Sequence, residues 1–203
     1  MLKRLFDIII SVSVLIIGLP IICVIIISIL IFDGMPIFFI HTRSGKNKIP
    51  FNFIKFRTMK NDSNKAELDR VTWLGNILRQ SSLDELPSFF NVLKGDMSVV
   101  GPRPLLQRYL SRYNDQQVRR LEVKPGITGL AQIKGRNLLS WEERFSYDVH
   151  YVDHQNIFLD LKIIILTINS VITRKGIMPE KKEIMPEFLG SDSNKFINKA
   201  TKR

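Results

Sequence analysis

The chain has 203 residues, enough for one domain with a core and an appended segment and too few for two large domains. Its 30 Lys and Arg against 19 Asp and Glu give a formal charge of +11, which favours a polyanionic partner without choosing among nucleic acid, anionic lipid and phosphorylated substrate. The single cysteine, Cys23, excludes a disulfide framework and a cysteine-based metal site, and fits a reducing, cytoplasmic environment.

Residues 8–32 carry no charge. As a continuous helix they would measure about 37 Å, long enough to cross a bilayer. The run is too long for the apolar part of a cleavable signal, and no small-x-small site follows it, so it is expected to stay attached. Lys3 and Arg4 precede it, and His41, Arg43, Lys46 and Lys48 follow, so both flanks read as cytoplasmic by the positive-inside rule. Pro20, after Gly18 and Leu19, removes one helical hydrogen bond near the middle. A helix broken there enters one leaflet and leaves by the same face, with Ser11, Ser13 and Ser28 available to the freed carbonyls. A kinked single span fits the same residues, and the residues alone leave the two readings even.

Residues 35–60 form two short apolar-rich segments around a polar turn at 44–48, the pattern of a hairpin, and end in a basic cluster. Residues 61–70 are polar and read as a surface loop or frayed helix. A short helix is expected over 73–78, leading to Arg79, and another over 86–93, where Pro87 suits a first turn. Asp84 and Glu85 then sit at or beside a helix N-terminus. A turn at 101–104 is followed by helices over 105–113 and 118–121. Residues 124–137, with three glycines and alternating apolar residues, read as strand and loop. Ser140 and Glu143 make a capping box that opens a helix over 140–153. Residues 157–173 are strongly apolar but interrupted by Asp160, Lys162, Asn169 and Ser170, which predicts an amphipathic helix on a lipid surface more than a second span. The polar residues from 176 onward are expected to be mobile.

Asp84 and Glu85 are the first candidates for chemistry. Adjacent acids on a helix point in different directions and divide labour: one attacks or ligates while the other completes a cation's shell. The ordinary alternative is that Asp84 caps the helix and Glu85 favours its positive end. Arg79, five residues upstream of Asp84, and Arg103, in a proline-bracketed turn, shift the balance. Carboxylates amid fixed arginines suit a Mg²⁺-dependent reaction of a pyrophosphate, in which metal and guanidinium neutralise charge on phosphoryl oxygens. Lys55 and Arg57 flank Phe56 and, on a strand, would project from one face as a double phosphate contact, though a solvated strand face is the commoner reading. Arg136 follows Gly135, where the backbone can approach a ligand closely. His150 and His154 are spaced for a metal but lack a third ligand, which disfavours zinc. No P-loop or Rossmann phosphate loop occurs.

Taken together, "KRLFD" before a proline-broken apolar run, "FIKFRTM", "SLDELPSFFNVLKGDMSVVGPRP", "KPGITGLAQIKGRN" and "SYDVHYV", in that order, resemble the bacterial sugar transferase family of small monotopic phosphoglycosyl transferases. The resemblance covers residues 1–176, and the short length is most similar to the PglC-type members that move diacetylbacillosamine phosphate. It implies a helix-dominated α/β monotopic membrane protein: a re-entrant helix-break-helix over 1–34, a compact cytoplasmic catalytic domain over 35–176 with interfacial amphipathic helices, and a polar tail over 177–203. It settles the even choice above in favour of re-entry. It implies that Asp84 attacks the sugar-linked phosphate of a UDP-sugar and expels UMP, and that undecaprenyl phosphate then takes the phosphosugar from the aspartate. Mg²⁺ would be held near Asp84 and Glu85, and Lys55, Arg79, Arg103 and Arg136 would bind phosphate, with Arg57 a weaker addition. The implied partners are the UDP-sugar, the polyprenol phosphate and phospholipid of the bacterial inner membrane, with no nucleic acid and a homo-oligomer left open. The implied donor is UDP-diacetylbacillosamine or a related N-acetyl amino sugar. One departure concerns the break, where members of this type commonly have Ser before Pro and this chain has Leu19 before Pro20. The competing class is a membrane-tethered basic module that binds polyanions without catalysis, which explains the charge and the anchor but not an acid pair among arginines.

Overall fold

The computed structural model describes residues 2–60, 67–135, 138–173 and 187–190. Helix α1 (Leu2–Phe32) has 31 residues with Pro20 inside it. Among the described residues it is the one helix long and apolar enough to cross a membrane, and most of its surface is exposed. Its buried residues, Asp7, Ser11, Gly18, Ile25 and Ile29, are spaced by fours and sevens, so one stripe meets protein while the rest of the circumference stays apolar and open. The helical pattern runs on through Pro20, the position of the expected break. Proline removes a single rung of the hydrogen-bond ladder, and the rungs on either side persist. At its end the N–H groups of Asp33 and Gly34 both donate to the Ile29 carbonyl at 2.8 Å, and Gly34 turns the chain with φ +71°.

The predicted hairpin is present as β1 (Phe38–Ser44) and β2 (Pro50–Phe56), joined through a 3-10 turn at Lys46–Lys48. Helix α2 (Trp73–Gln80) begins where the Thr72 hydroxyl accepts the Gly75 N–H at 2.9 Å. The single helix expected over 86–93 is instead a 3-10 helix, Leu83–Ser88, that contains Pro87 and runs into α3 (Phe89–Lys94). Proline offers no N–H to an α-type ladder, so the regular helix starts only after it.

Strands β3 (Ser98–Val100) and β4 (Gly126–Thr128) pair in parallel, with Ser98 opposite Gly126 and Val100 opposite Thr128. Between them lie a 3-10 helix, Gln107–Arg112, where a regular helix was expected, then α4 (Asp115–Val118) and a further 3-10 turn, Arg119–Leu121. After β4 comes α5 (Leu130–Lys134), in place of the expected loop. Helix α6 (Trp141–His154) opens on the predicted box, with the Ser140 hydroxyl accepting the Glu143 N–H at 3.2 Å and the Glu143 carboxylate accepting the Ser140 N–H at 2.9 Å. Helix α7 (Ile157–Thr173) buries Asp160 and Ile163 and exposes Phe158, Ile165, Ile168 and Ile172, the amphipathic pattern read from the sequence.

Contacts group the chain into two compact units, Met1–His41 with Asn52–Gly95 and Thr42–Phe51 with Asp96–Arg203. The first has a core of Ile25, Ile29, Phe56 and Leu78, against which Leu74, Leu83 and Leu86 pack. The second has a core of Leu105, Tyr109, Trp141, Phe145 and Phe188. Most of the tail expected to be mobile lies outside the described residues, but residues 187–190 correct that expectation where they are seen. The Phe188 ring is 0% exposed, edge-on to Phe145 with centroids 4.9 Å apart, and Arg112 donates to the Phe188 carbonyl and, at 2.8 Å, to the Glu187 carboxylate. Phe188 is buried while Glu187 and Leu189 on either side stay exposed, so a single aromatic side chain docks this part of the chain. Phe188→Ala should cost about 3–5 kcal/mol and lower the midpoint of thermal unfolding, as read by tryptophan fluorescence.

Candidate active site

A 3-10 helix has three residues per turn, so Leu83 and Leu86 share one edge, and both pack on the core of the first unit. That registers the next two positions, Asp84 and Glu85, on the other edges of the same turn. Asp84 is 7% exposed and Glu85 half-buried. The Ser88 hydroxyl donates to the Glu85 carbonyl at 2.6 Å and tightens the turn.

Two of the candidate cations are carried by elements that contribute to the same core. Arg79 follows Leu78 in the last turn of α2, and its Nε donates to the Thr58 hydroxyl at 2.9 Å. Helix α2 lies so close to that segment that a Cβ on Gly75 would stand 2.1 Å from the Thr58 carbonyl oxygen. Lys55 precedes Phe56 on β2, and its ammonium lies 5.6 Å from the centroid of the Phe39 ring. Thus Lys55, Arg79, Asp84 and Glu85 each adjoin in sequence a residue of one cluster: Phe56, Leu78, Leu83 and Leu86.

Arg57 does not present the expected second phosphate contact. Its guanidinium is turned inward, donating to the carbonyls of Met35 at 3.1 Å, Asp33 at 2.6 Å and Gly34, where it closes the end of α1. Those carbonyls follow the last helical turn and have no helical donor, which is why a cation is drawn to them.

Arg103 belongs to the second unit, and Arg136 lies outside the described residues. The turn that carries Arg103 is fixed from below by a pair the sequence reading missed. Arg120, 1% exposed, donates through Nε and Nη2 to one oxygen of the buried Asp148 at 2.9 and 2.7 Å, and through Nη2 to the Arg103 carbonyl at 2.7 Å. Arg144, one helical turn before Asp148 on α6, lies 5.0 Å above the Trp141 ring. Burial pushes its pKa down to about 10, with Arg103 and Arg120 adding to the depression and Asp148 opposing it. The i, i+4 spacing of Arg144 and Asp148 was the available sequence signal.

Among the described residues no group of three or more His, Cys, Asp or Glu side chains gathers as a metal cage. Asp84 and Glu85 offer a pair of hard oxygen donors, the set that suits a cation completing its shell with water and a substrate's phosphates.

The family described as Bacterial sugar transferase matches residues 1–174. The chain is 47% identical over 195 residues to EpsL, an uncharacterised sugar transferase of Bacillus subtilis strain 168, covering 94% of this chain and 96% of that protein. It is 38% identical over 197 residues to the undecaprenyl-phosphate galactose phosphotransferase of Salmonella typhimurium, covering 86% of this chain and 41% of that protein. It is 38% identical over 183 residues to the UDP-glucose:undecaprenyl-phosphate glucose-1-phosphate transferase of Escherichia coli K12, covering 83% of this chain and 39% of that protein. The chain therefore spans nearly all of the first relative and about two-fifths of the other two.

Since the Arg57 guanidinium serves backbone carbonyls, Arg57→Ala should lower stability by about 2–4 kcal/mol while a donor KM stays within twofold of wild type. Chemical denaturation and initial-rate kinetics on the same preparation separate the two effects.

Proposed function

The chain belongs to the bacterial sugar transferase family, and from that premise we propose that it moves a sugar 1-phosphate from a UDP-sugar to undecaprenyl phosphate, releasing UMP. The observation that carries this reading is the acid pair Asp84–Glu85, its buried member held on a turn whose leucines enter the same core as α1. A nucleophile rooted in the core that also seats the apolar helix stands at a fixed place relative to the lipid in which its acceptor is confined.

In the proposed scheme a carboxylate oxygen of Asp84 attacks the sugar-linked phosphorus of the donor. The bond from that phosphorus to the bridging oxygen breaks, and UMP departs with the electron pair. An oxygen of undecaprenyl phosphate then attacks the same phosphorus, releasing the Asp84 carboxylate and giving the polyprenyl diphosphate sugar. Splitting the reaction lets a soluble donor and a membrane-bound acceptor use one site in turn. Lys55 and Arg79, on the same unit as Asp84, bind phosphoryl oxygens. Asp84 and Glu85 would hold Mg²⁺, which supplies charge neutralisation at the pyrophosphate.

The protein sits re-entrantly in the inner leaflet of the cytoplasmic membrane, facing the cytoplasm. Two observations support this. Near its start, Arg4 of α1 donates to the carbonyls of Val92 and Leu93, and near its end Ile25 and Ile29 pack with Phe56 and Leu78 of the same unit. A straight helix from residue 4 to 29 would separate those contacts by about 37 Å, so a unit that holds both ends favours a helix returning to the face it entered. The residues between, from Val12 to Val24, include the exposed Ile16, Ile17, Leu19 and Ile21, which suit acyl chains. The apolar face of α7 suits the interfacial layer beside it.

Among relatives, the named activities specify galactose and glucose, so UDP-galactose and UDP-glucose precede UDP-diacetylbacillosamine in the donor panel. With Mg²⁺ and undecaprenyl phosphate, one of these donors should give UMP, and EDTA should abolish its release. A binding module would release none, and a hydrolase would need no acceptor. Asp84→Asn should lower turnover by at least 10³-fold with membrane insertion intact, and wild-type protein quenched with donor alone should carry the phosphosugar mass on Asp84. An impermeant amine reagent applied from the periplasm should leave residue 1 unlabelled; labelling would restore a spanning helix.

A further inference from the structure

We infer that Arg4 is a positioning residue for the proposed reaction, its guanidinium forking across the last carbonyls of α3 and locking the start of the membrane helix to the rod that carries Asp84. The inference rests on the functional reading above only for its kinetic arm.

The geometry begins at the end of α3. A helix of six residues leaves its final carbonyls without helical donors. The Gly95 N–H reaches those of Asn91 and Val92 at 3.1 and 3.0 Å. Arg4 adds two more donors, Nη1 to the Val92 carbonyl and Nη2 to the Leu93 carbonyl at 2.7 Å. Two parallel donors on one rigid plane match two successive carbonyls, and the cation also opposes the negative end of the helix.

What Arg4 holds is continuous with the acid pair. The 3-10 helix Leu83–Ser88 passes into α3 at Phe89 with no intervening loop, so residues 83–94 form one uninterrupted helical rod. The same rod is pinned from another side by Asn91, whose Oδ1 accepts the Ile54 N–H at 3.1 Å and whose Nδ2 donates to the Asn52 carbonyl at 2.8 Å. Asn91 thereby sets the rod against β2, which carries Lys55, while Arg4 sets it against α1. Asp7 and Ser11, one and two turns after Arg4, are buried on the stripe of α1 that meets protein. The first turns of this helix thus bury polar side chains, although its remainder is mostly isoleucine, valine and leucine.

A positive residue before an apolar run also serves as a topological flank, and any cation fills that role. A fork across two carbonyls requires arginine. Arg4→Lys therefore keeps the flank and removes the fork, and Arg4→Gln removes both. The full chain is reconstituted in phosphatidylglycerol nanodiscs, and UMP release and amide hydrogen exchange are measured on each form. We expect Arg4→Lys to insert normally, to lose 10- to 100-fold in kcat with the donor KM within twofold, and to exchange amides of residues 83–95 at least tenfold faster, since small misplacement of a reacting group costs on the order of 100-fold. Arg4→Gln should lose more. Wild-type kcat in Arg4→Lys overturns the inference, and so does a loss of kcat without faster exchange in that rod, which would place the effect elsewhere. Absence of UMP release from the wild-type chain with every donor is instead a failure of the functional reading, recognised before any variant is compared.

Discussion

The apolar cluster of Ile25, Ile29, Phe56 and Leu78, closed by Leu83 and Leu86, is the constraint from which the candidate chemistry of the first unit follows. Each fully buried aliphatic or aromatic side chain contributes about 1.5–3 kcal/mol, and here the contributions come from α1, β2, α2 and the acid-bearing turn. Helix α1, β2 and the pair formed by α2 and the acid-bearing turn come from separate parts of the chain and have no long backbone ladder between them. Their shared apolar surface is what brings Lys55, Arg79, Asp84 and Glu85 to one body. The long apolar helix α1, which lends two of its turns to this cluster, belongs to the same foundation.

The protein uses arginine in two ways. Arg4 and Arg57 donate to backbone carbonyls at helix ends, and Arg120 donates to Asp148 and to the carbonyl of Arg103. Buried ion pairs of the last kind contribute little net stability, because desolvating both partners offsets much of their attraction. Their value here is geometric: Arg120 sets the backbone of the proline-bracketed turn, so that Arg103 is presented from a fixed position. The formal charge of +11 is therefore not a uniform basic surface. Part of it is internal structure, and the part directed at an anionic ligand is smaller.

Much of the fold was legible because it depends on local pattern. The hairpin followed from two apolar runs about a polar turn, α6 from its capping box, α7 from its interrupted apolar stretch. The acid pair stood out in the sequence because Arg79 and Arg103 flank it, and the structure adds that Asp84 is buried. The elements that escaped notice are short: β3 has three residues and gains its identity only from β4, 28 residues further on. Pro87 was expected in the first turn of a regular helix but lies near the end of the 3-10 helix Leu83–Ser88, which needed the packing of Leu83 and Leu86 to define it.

By itself, then, the sequence determined that a charge-free helix of membrane length precedes a basic, helix-rich body with an acid pair at a helix start, because hydrophobic periodicity, proline and capping act over a few residues. Only the tertiary structure decided what each cation serves and whether an isolated Phe188 is buried. The physical reason is that a guanidinium bonds carbonyl, carboxylate and phosphate with the same donors. Its role is set by whichever acceptor the fold brings within reach, and for Arg4 that acceptor lies 89 residues away along the chain.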